Sequence, residues 1–151
     1  MLRQRLNETL KQAMRDKDAP TVGTVRLILA AIKDRDIAAR GEGRTEGISE
    51  QEIMELLQKM KRQRQESIEA YEQGGRLELA QREQDEIAVL ERFLPRQLDE
   101  AETAAAVDEA IRQTDAQGLK DIGRVMGLLK GRHGGAMDFS KASALARARL
   151  S

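Results

Sequence analysis

Apolar side chains return every three or four residues along most of this chain, and that period fits helices and not strands. Leu2, Leu6, Leu10 and Met14 mark one face of a first helix that ends near Asp18, Ala19 and Pro20. Pro20 suits the opening turn of a second helix, where its missing amide hydrogen costs nothing. In that helix Val25, Ile28, Leu29 and Ile32 keep the helical spacing, and Leu27 to Ile32 is apolar almost all round, so it is expected to be the most buried. A buried strand is the competing reading of so short an apolar run, but the alanines and the helical spacing on both sides favour a helix.

Residues 40–47, with Gly41, Gly43 and Gly47, read as a flexible polar loop. Ser49 and Glu52 then have the spacing of a capping box, opening a long third helix whose stripe is Ile53, Leu56, Leu57, Met60, Ser67, Ile68 and Tyr71. Arg64 interrupts that stripe, its aliphatic stem lying along apolar surface. Gly74 and Gly75 stop the helix. A fourth runs from about Arg76 to Leu94 and, the link being short, forms an antiparallel hairpin with the third.

Pro95 is expected to break the fourth helix and to sit in a hinge, Phe93 to Leu98, between residues 1–94 and residues 95–151. Beyond it, Asp99 with Glu102 opens an alanine-rich helix closed by Gly118. Asp121 is placed as the cap of a short helix carrying Ile122, Val125, Met126 and Leu129. Asp138 is placed as the cap of a last one carrying Phe139, Ala142, Leu145, Ala146 and Leu150. The expected architecture is all-α: an N-terminal four-helix unit with a long hairpin, then a three-helix tail.

Composition agrees, with 34% charged residues, two prolines and 2% aromatics. That balance suits long surface helices and not sheets of β-branched and aromatic residues. With no cysteine and the single His133, the chain cannot build a thiolate zinc site, a thiol nucleophile or a redox pair, and neither metal nor cofactor is expected. The opening residues interleave charge with leucine, and no run is long enough to span a bilayer, so the expectation is a cytoplasmic protein with no membrane partner.

Several segments together resemble the stand-alone YqeY members of the GatB/YqeY family. They are Thr24 to Lys33; Lys59 to Tyr71; Gly75 to Ala80; Glu86 to Leu90 with Leu94 to Leu98; and Gly123 to Gly127 with Gly134 to Asp138. The resemblance covers about residues 2–150. It implies a helical protein whose C-terminal part is similar to the tail of the B subunit of the tRNA-dependent amidotransferase. That tail is implicated in holding tRNA, while the amidation chemistry belongs to a larger catalytic part for which this chain has no counterpart. A carbon-nitrogen ligase label, with glutamine as amide donor, would be inherited through the shared tail.

No activated nucleophile with base and oxyanion hole is visible. Ser140 beside Lys141 reads as a helix start, and no glycine-rich loop ends in Lys-Ser or Lys-Thr to cradle phosphates. No catalytic residue is assigned. The tail's charge is more telling: residues 95–118 carry a net −4 and residues 119–151 a net +5. Lys120, Arg124, Lys130, Arg132, Lys141, Arg147 and Arg149 supply that positive charge, and His133 joins them as a conditional phosphate donor or an ordinary loop residue.

From charge alone a solvated face is as good a reading as a phosphate-binding one. The tail resemblance tips the balance towards RNA. Gly123, Gly127 and Gly131 line one side of a helix; tight packing inside the tail is the favoured reading, close approach of RNA to bare backbone the alternative. Lys59, Lys61, Arg62 and Arg64, mixed with Glu55, Glu66 and Glu69, read as helix-surface ion pairing. Tyr71, Phe93 and Phe139 fall on apolar stripes, so recognition would rest on shape and phosphates of folded RNA and not on base stacking.

The expected function is that of a non-catalytic accessory protein binding tRNA or a tRNA-bound enzyme, with no DNA partner. The alternatives are a ligase component active only with other subunits and an adaptor without RNA contact.

Overall fold

A computed structural model describes all of residues 1–151. It contains seven α-helices and one 3₁₀ turn, with no strand: α1 Leu2–Arg15, α2 Ala19–Gly41, α3 Glu50–Gln73, α4 Leu77–Glu91, α5 Glu100–Thr114, the turn Leu119–Asp121, α6 Ile122–His133 and α7 Phe139–Leu150. The chain divides into two compact units, Met1–Leu94 and Pro95–Ser151.

In the first unit, α2 starts from Asp18, whose carboxylate accepts from the Thr21 amide at 3.3 Å and from the Thr21 hydroxyl at 2.6 Å, with Pro20 in the opening turn. α3 starts from the Ser49–Glu52 capping box, both reciprocal hydrogen bonds being present. α3 and α4 form the antiparallel hairpin: Lys61 pairs with Glu91 at 3.1 Å and Arg64 with Glu86 at 3.1 Å, so numbers rise on one helix as they fall on the other. These lysine and arginine partners lie across the hairpin on α4, not along α3 as the sequence reading had it. Leu2, Leu6, Val25, Ile28, Ile32, Ile53, Leu57 and Leu90 close the core between the helices.

A buried carboxylate organises this core. Arg3 of α1 donates through both terminal nitrogens to Asp36 of α2, at 2.7 and 2.8 Å, and to the Ile48 carbonyl at 2.9 Å. The Ile48 amide donates to Asp36 at 2.9 Å. Gly47, at φ +80°, leaves room for this, since a Cβ there would overlap the Asp36 carboxylate. The Arg3 guanidinium holds Asp36 well below its usual value, at about 2, with the Ile48 amide adding to the effect and burial opposing it.

Four sequence expectations are corrected. Met14 is 52% exposed and Ala13 takes its place in the core. A strict four-residue spacing advances 40° too far per step on a helix of 3.6 residues per turn, so the stripe turns away from the core by its fourth member. α2 is not buried all round: Leu27 is 48% exposed and Ile37 57%. α2 also runs into the expected loop, ending at Gly41. Finally, α4 ends at Glu91, before Pro95, because Arg92, Phe93 and Leu94 tighten into three-residue bonds to Val89, Leu90 and Glu91.

The second unit is smaller. Val107, Ala110, Val125, Leu129, Met137, Ala142 and Ala146 form its core. The Asp99–Glu102 capping box starts α5, and Glu102 is held at about 2 chiefly by the Arg96 guanidinium, with the Asp99 amide assisting. α5 is closed by Asp115 in the left-handed region at φ 51°, not by Gly118, whose backbone is extended. The Leu98 amide reaches the Ala136 carbonyl at 2.8 Å, tying the segment before α5 to the turn between α6 and α7. Asp138 caps α7 as expected, accepting from the Ser140 and Lys141 amides.

Asp36→Ala strips the Ile48 amide of its partner and is expected to cost about 2 kcal/mol or more, read by thermal or urea unfolding. The acid response follows from the depressed Asp36 carboxyl. Its contribution is full above the ordinary value of 3.8 and is lost as pH falls towards about 2. In Asp36→Asn this part of the acid-induced loss of stability should be missing.

Candidate nucleic-acid interface

The eight candidate residues after Gly118, seven cations and His133, lie on the turn that follows it, on α6 and on α7, and the fold treats them unequally. Arg124, early in α6, donates to Asp121 at 2.8 Å and to the Thr114 carbonyl at 2.9 Å, so it fastens the end of α5 to α6. The Asp121 carboxyl lies below its usual value, first because the Gln117 amide donates to it at 2.9 Å and second because of Arg124. Asp121 thus occupies the cap position of α6 without capping it. Arg149 pairs with Asp108, joining α7 to α5.

These two arginines are neutralised and drop out of a free cationic surface. Charge counting set the acidic segment against the basic one, yet the fold pairs a member of each across 41 positions of sequence. Nothing local in the sequence announces that contact. The Arg124–Asp121 pair, three residues apart on one helical turn, was open to discovery from spacing.

Lys120, Lys130, Arg132, Lys141 and Arg147 are exposed and form no ion pair. Arg147 has only a 3.4 Å contact with the Ser143 hydroxyl. Lys130, Arg132 and His133 fall in the last turn of α6, and Arg147 and Arg149 in the last turn of α7. Cations there complement the unpaired carbonyls of a helix end, an ordinary structural role that needs no ligand. His133 is half-buried at the end of α6, and its carbonyl accepts from the Ala136 amide at 2.9 Å.

The glycines are the surprise. Tight packing inside the tail was the favoured reading, and the structure overturns it. Gly123, Gly127 and Gly131 are all exposed, and a Cβ added at any of them meets nothing within 4 Å. The face of α6 that does pack is the opposite one, carrying Val125 and Leu129. Two turns of helix backbone are therefore laid bare. Arg124 and Lys130, three residues to either side of Gly127, flank the strip.

A family model described as Yqey-like protein matches residues 3–150. Among curated proteins, the chain is similar to one named "Altered inheritance of mitochondria protein 41, mitochondrial" in several yeasts. It is 34% identical over 120 residues to the Meyerozyma guilliermondii protein, covering 80% of this chain and 59% of that one. It is 30% identical over 111 residues to that of Eremothecium gossypii, covering 74% and 56%. To that of Lachancea thermotolerans it is 34% identical over 89 residues, covering 59% and 46%.

The chain thus spans about half the length of the curated relatives it matches. The expectation of a cytoplasmic protein is corrected by these matches, since the relatives are named as mitochondrial proteins. No helix is long and apolar enough to cross a membrane.

If the strip carries no internal packing, Gly127→Ala should stabilise α6 by about 0.5–1 kcal/mol, the ordinary gain from replacing a mid-helix glycine. A thermal unfolding series followed by circular dichroism reads it. Loss of stability would mean that the glycine packs against something after all.

Proposed function

This chain belongs to the YqeY family, and from that premise we propose that it works by binding, as an accessory protein whose C-terminal unit docks folded RNA of the tRNA class. One observation carries the reading: the exposed glycine strip of α6, with open space above Gly123, Gly127 and Gly131 and the unpaired Lys130 at its edge.

A side chain on that face would hold a ribose-phosphate backbone several ångströms off. Without side chains, sugar hydroxyls and phosphates reach the helix surface directly, as recognition of folded RNA by shape requires. Lys120, Arg132, Lys141 and Arg147 supply the remaining free positive charge. This distribution supports local neutralisation of a few phosphates and not a field that attracts nucleic acid to the whole molecule, whose net charge is zero.

The part of the amidotransferase subunit that this unit resembles is the tail and not the catalytic body. The reading therefore assigns no amidation chemistry to the chain alone. Purified protein given glutamine, ATP and mischarged tRNA should produce no amidated product; turnover would favour the ligase-component reading.

Filter binding of total tRNA across a salt series is the direct test, with duplex DNA as control. Each phosphate contact contributes about 0.7 to 0.9 to the magnitude of the slope of log affinity against log salt. Reversing charge at Lys130, Arg132 and Arg147 together should weaken tRNA binding and flatten that slope by about 2. Gly127→Leu should weaken it without altering the slope as strongly. Absence of tRNA binding, or binding indifferent to all of these, would leave a protein-protein adaptor as the better account.

A further inference from the structure

The first unit presents a second bare face, on α2, which has no part in the RNA-docking reading. Gly23, Leu27, Ala30, Asp34, Ile37 and Gly41 are all exposed and, at 100° per residue, fall within one sector of about 80° on the helix. Leu27 and Ile37 are among the few large apolar side chains the molecule leaves open, at 48% and 57%. Arg26 and Lys33 border the stripe on one side. Neither Arg26, Lys33 nor Asp34 forms an ion pair within the chain.

We propose that this face is where a second copy of the chain docks, α2 against α2, antiparallel about a two-fold axis through Ala30. The argument is the self-complementarity of the residue order. In such a pair the residue a given number of places before Ala30 meets the residue the same number of places after Ala30 in the other copy. Ala30 then meets Ala30, where small side chains let the two helices approach. Arg26 meets Asp34, twice by symmetry, an ion pair of matched sign. Leu27 meets the aliphatic stem of Lys33.

Gly23 meets Ile37, and here the structure supplies the space: a Cβ at Gly23 has nothing within 4 Å. A groove of about 510 Å³ opens there, between Gly23, Thr24 and Leu27 of α2 and Arg82, Asp85 and Glu86 of α4. The large Ile37 of one copy enters the hollow over Gly23 of the other. Apolar size and charge therefore both match under one operation.

One helix pair with a groove wall stands near the low end of what a specific interface buries, about 1,200 Å² in total. The dimer should accordingly dissociate on the order of tens of micromolar. Sedimentation velocity of the full chain over a concentration series reads it. Ile37→Asp should abolish the dimer while circular dichroism shows unchanged helix, since the side chain is exposed in the monomer.

Arg26→Asp and Asp34→Arg should each weaken association about tenfold, because each sets like charges opposite one another twice. The double variant should restore it, because the pairs are re-formed with sign exchanged. The contact of Ala30 with Ala30 of the second copy adds a covalent check: Ala30→Cys, in a chain with no other cysteine, should cross-link to a dimer, whereas Arg35→Cys on the far side of α2 should not. A chain that stays monomeric to about millimolar concentration overturns the proposal. So does a dimer that ignores Ile37→Asp, or one that the double reversal fails to restore.

Discussion

The first unit is organised around a carboxylate that has to be buried. Asp36 lies on the inner side of α2, and its oxygens are claimed by the Arg3 guanidinium from α1 and by the Ile48 amide from the approach to α3. The pair is only partly buried, Arg3 keeping part of its side chain in solvent, and such a pair returns little net stability against well-packed apolar residues. Its effect is geometric. Three segments far apart in sequence must meet at one point with correct orientation, and Gly47 must lack a side chain for them to do so. Leu2 and Leu6 then face Val25, Ile28 and Ile32, and the apolar core follows. The Leu2 amide is held by Glu50 at 2.7 Å, which gives α1 from outside the cap it lacks within its own sequence.

The second unit reaches the same end with smaller means. Three of its seven core residues are alanines, so its helices approach closely around Val107, Val125, Leu129 and Met137. Arg124 and Arg149 are spent on holding it together. What remains outside is an α6 whose outer face carries a strip of three glycines flanked by Arg124 and Lys130. Mid-helix glycines are costly to folding, since they give up the most backbone freedom and pack nothing. Three of them at one phase on a twelve-residue helix run against the local stability of that helix, and that conflict is the physical ground for assigning the face a role outside the fold.

Much of this was legible in the residues. The capping boxes at Ser49 and Asp99, the glycine stop after α3 and the cap at Asp138 stand where their local chemistry puts them, because a cap is decided within four residues. The all-helical class followed from apolar spacing. Met14 was misjudged locally, by a spacing that drifts around the helix, but most of the other misjudged features were decided at long range. Leu27 follows the apolar pattern, yet whether a helix face is covered depends on which neighbours arrive. Asp36 reads as one more charged residue in a helix tail until Arg3 and Ile48 close on it. Arg149 reads as free until Asp108 meets it, and the α6 glycines read as packing residues until the opposite face proves to be the packed one.

The central claim is that the side-chain-free face of α6 is kept for folded RNA. Titrating ¹⁵N-labelled full chain with folded tRNA at low salt tests it most directly, because glycine amides are well separated in the proton-nitrogen spectrum. The account predicts that the amides of Gly123, Gly127 and Gly131, with those of Lys130 and Arg132, shift or broaden first, and that salt reverses the change. Perturbations confined to α1–α4, or none at all, would contradict it.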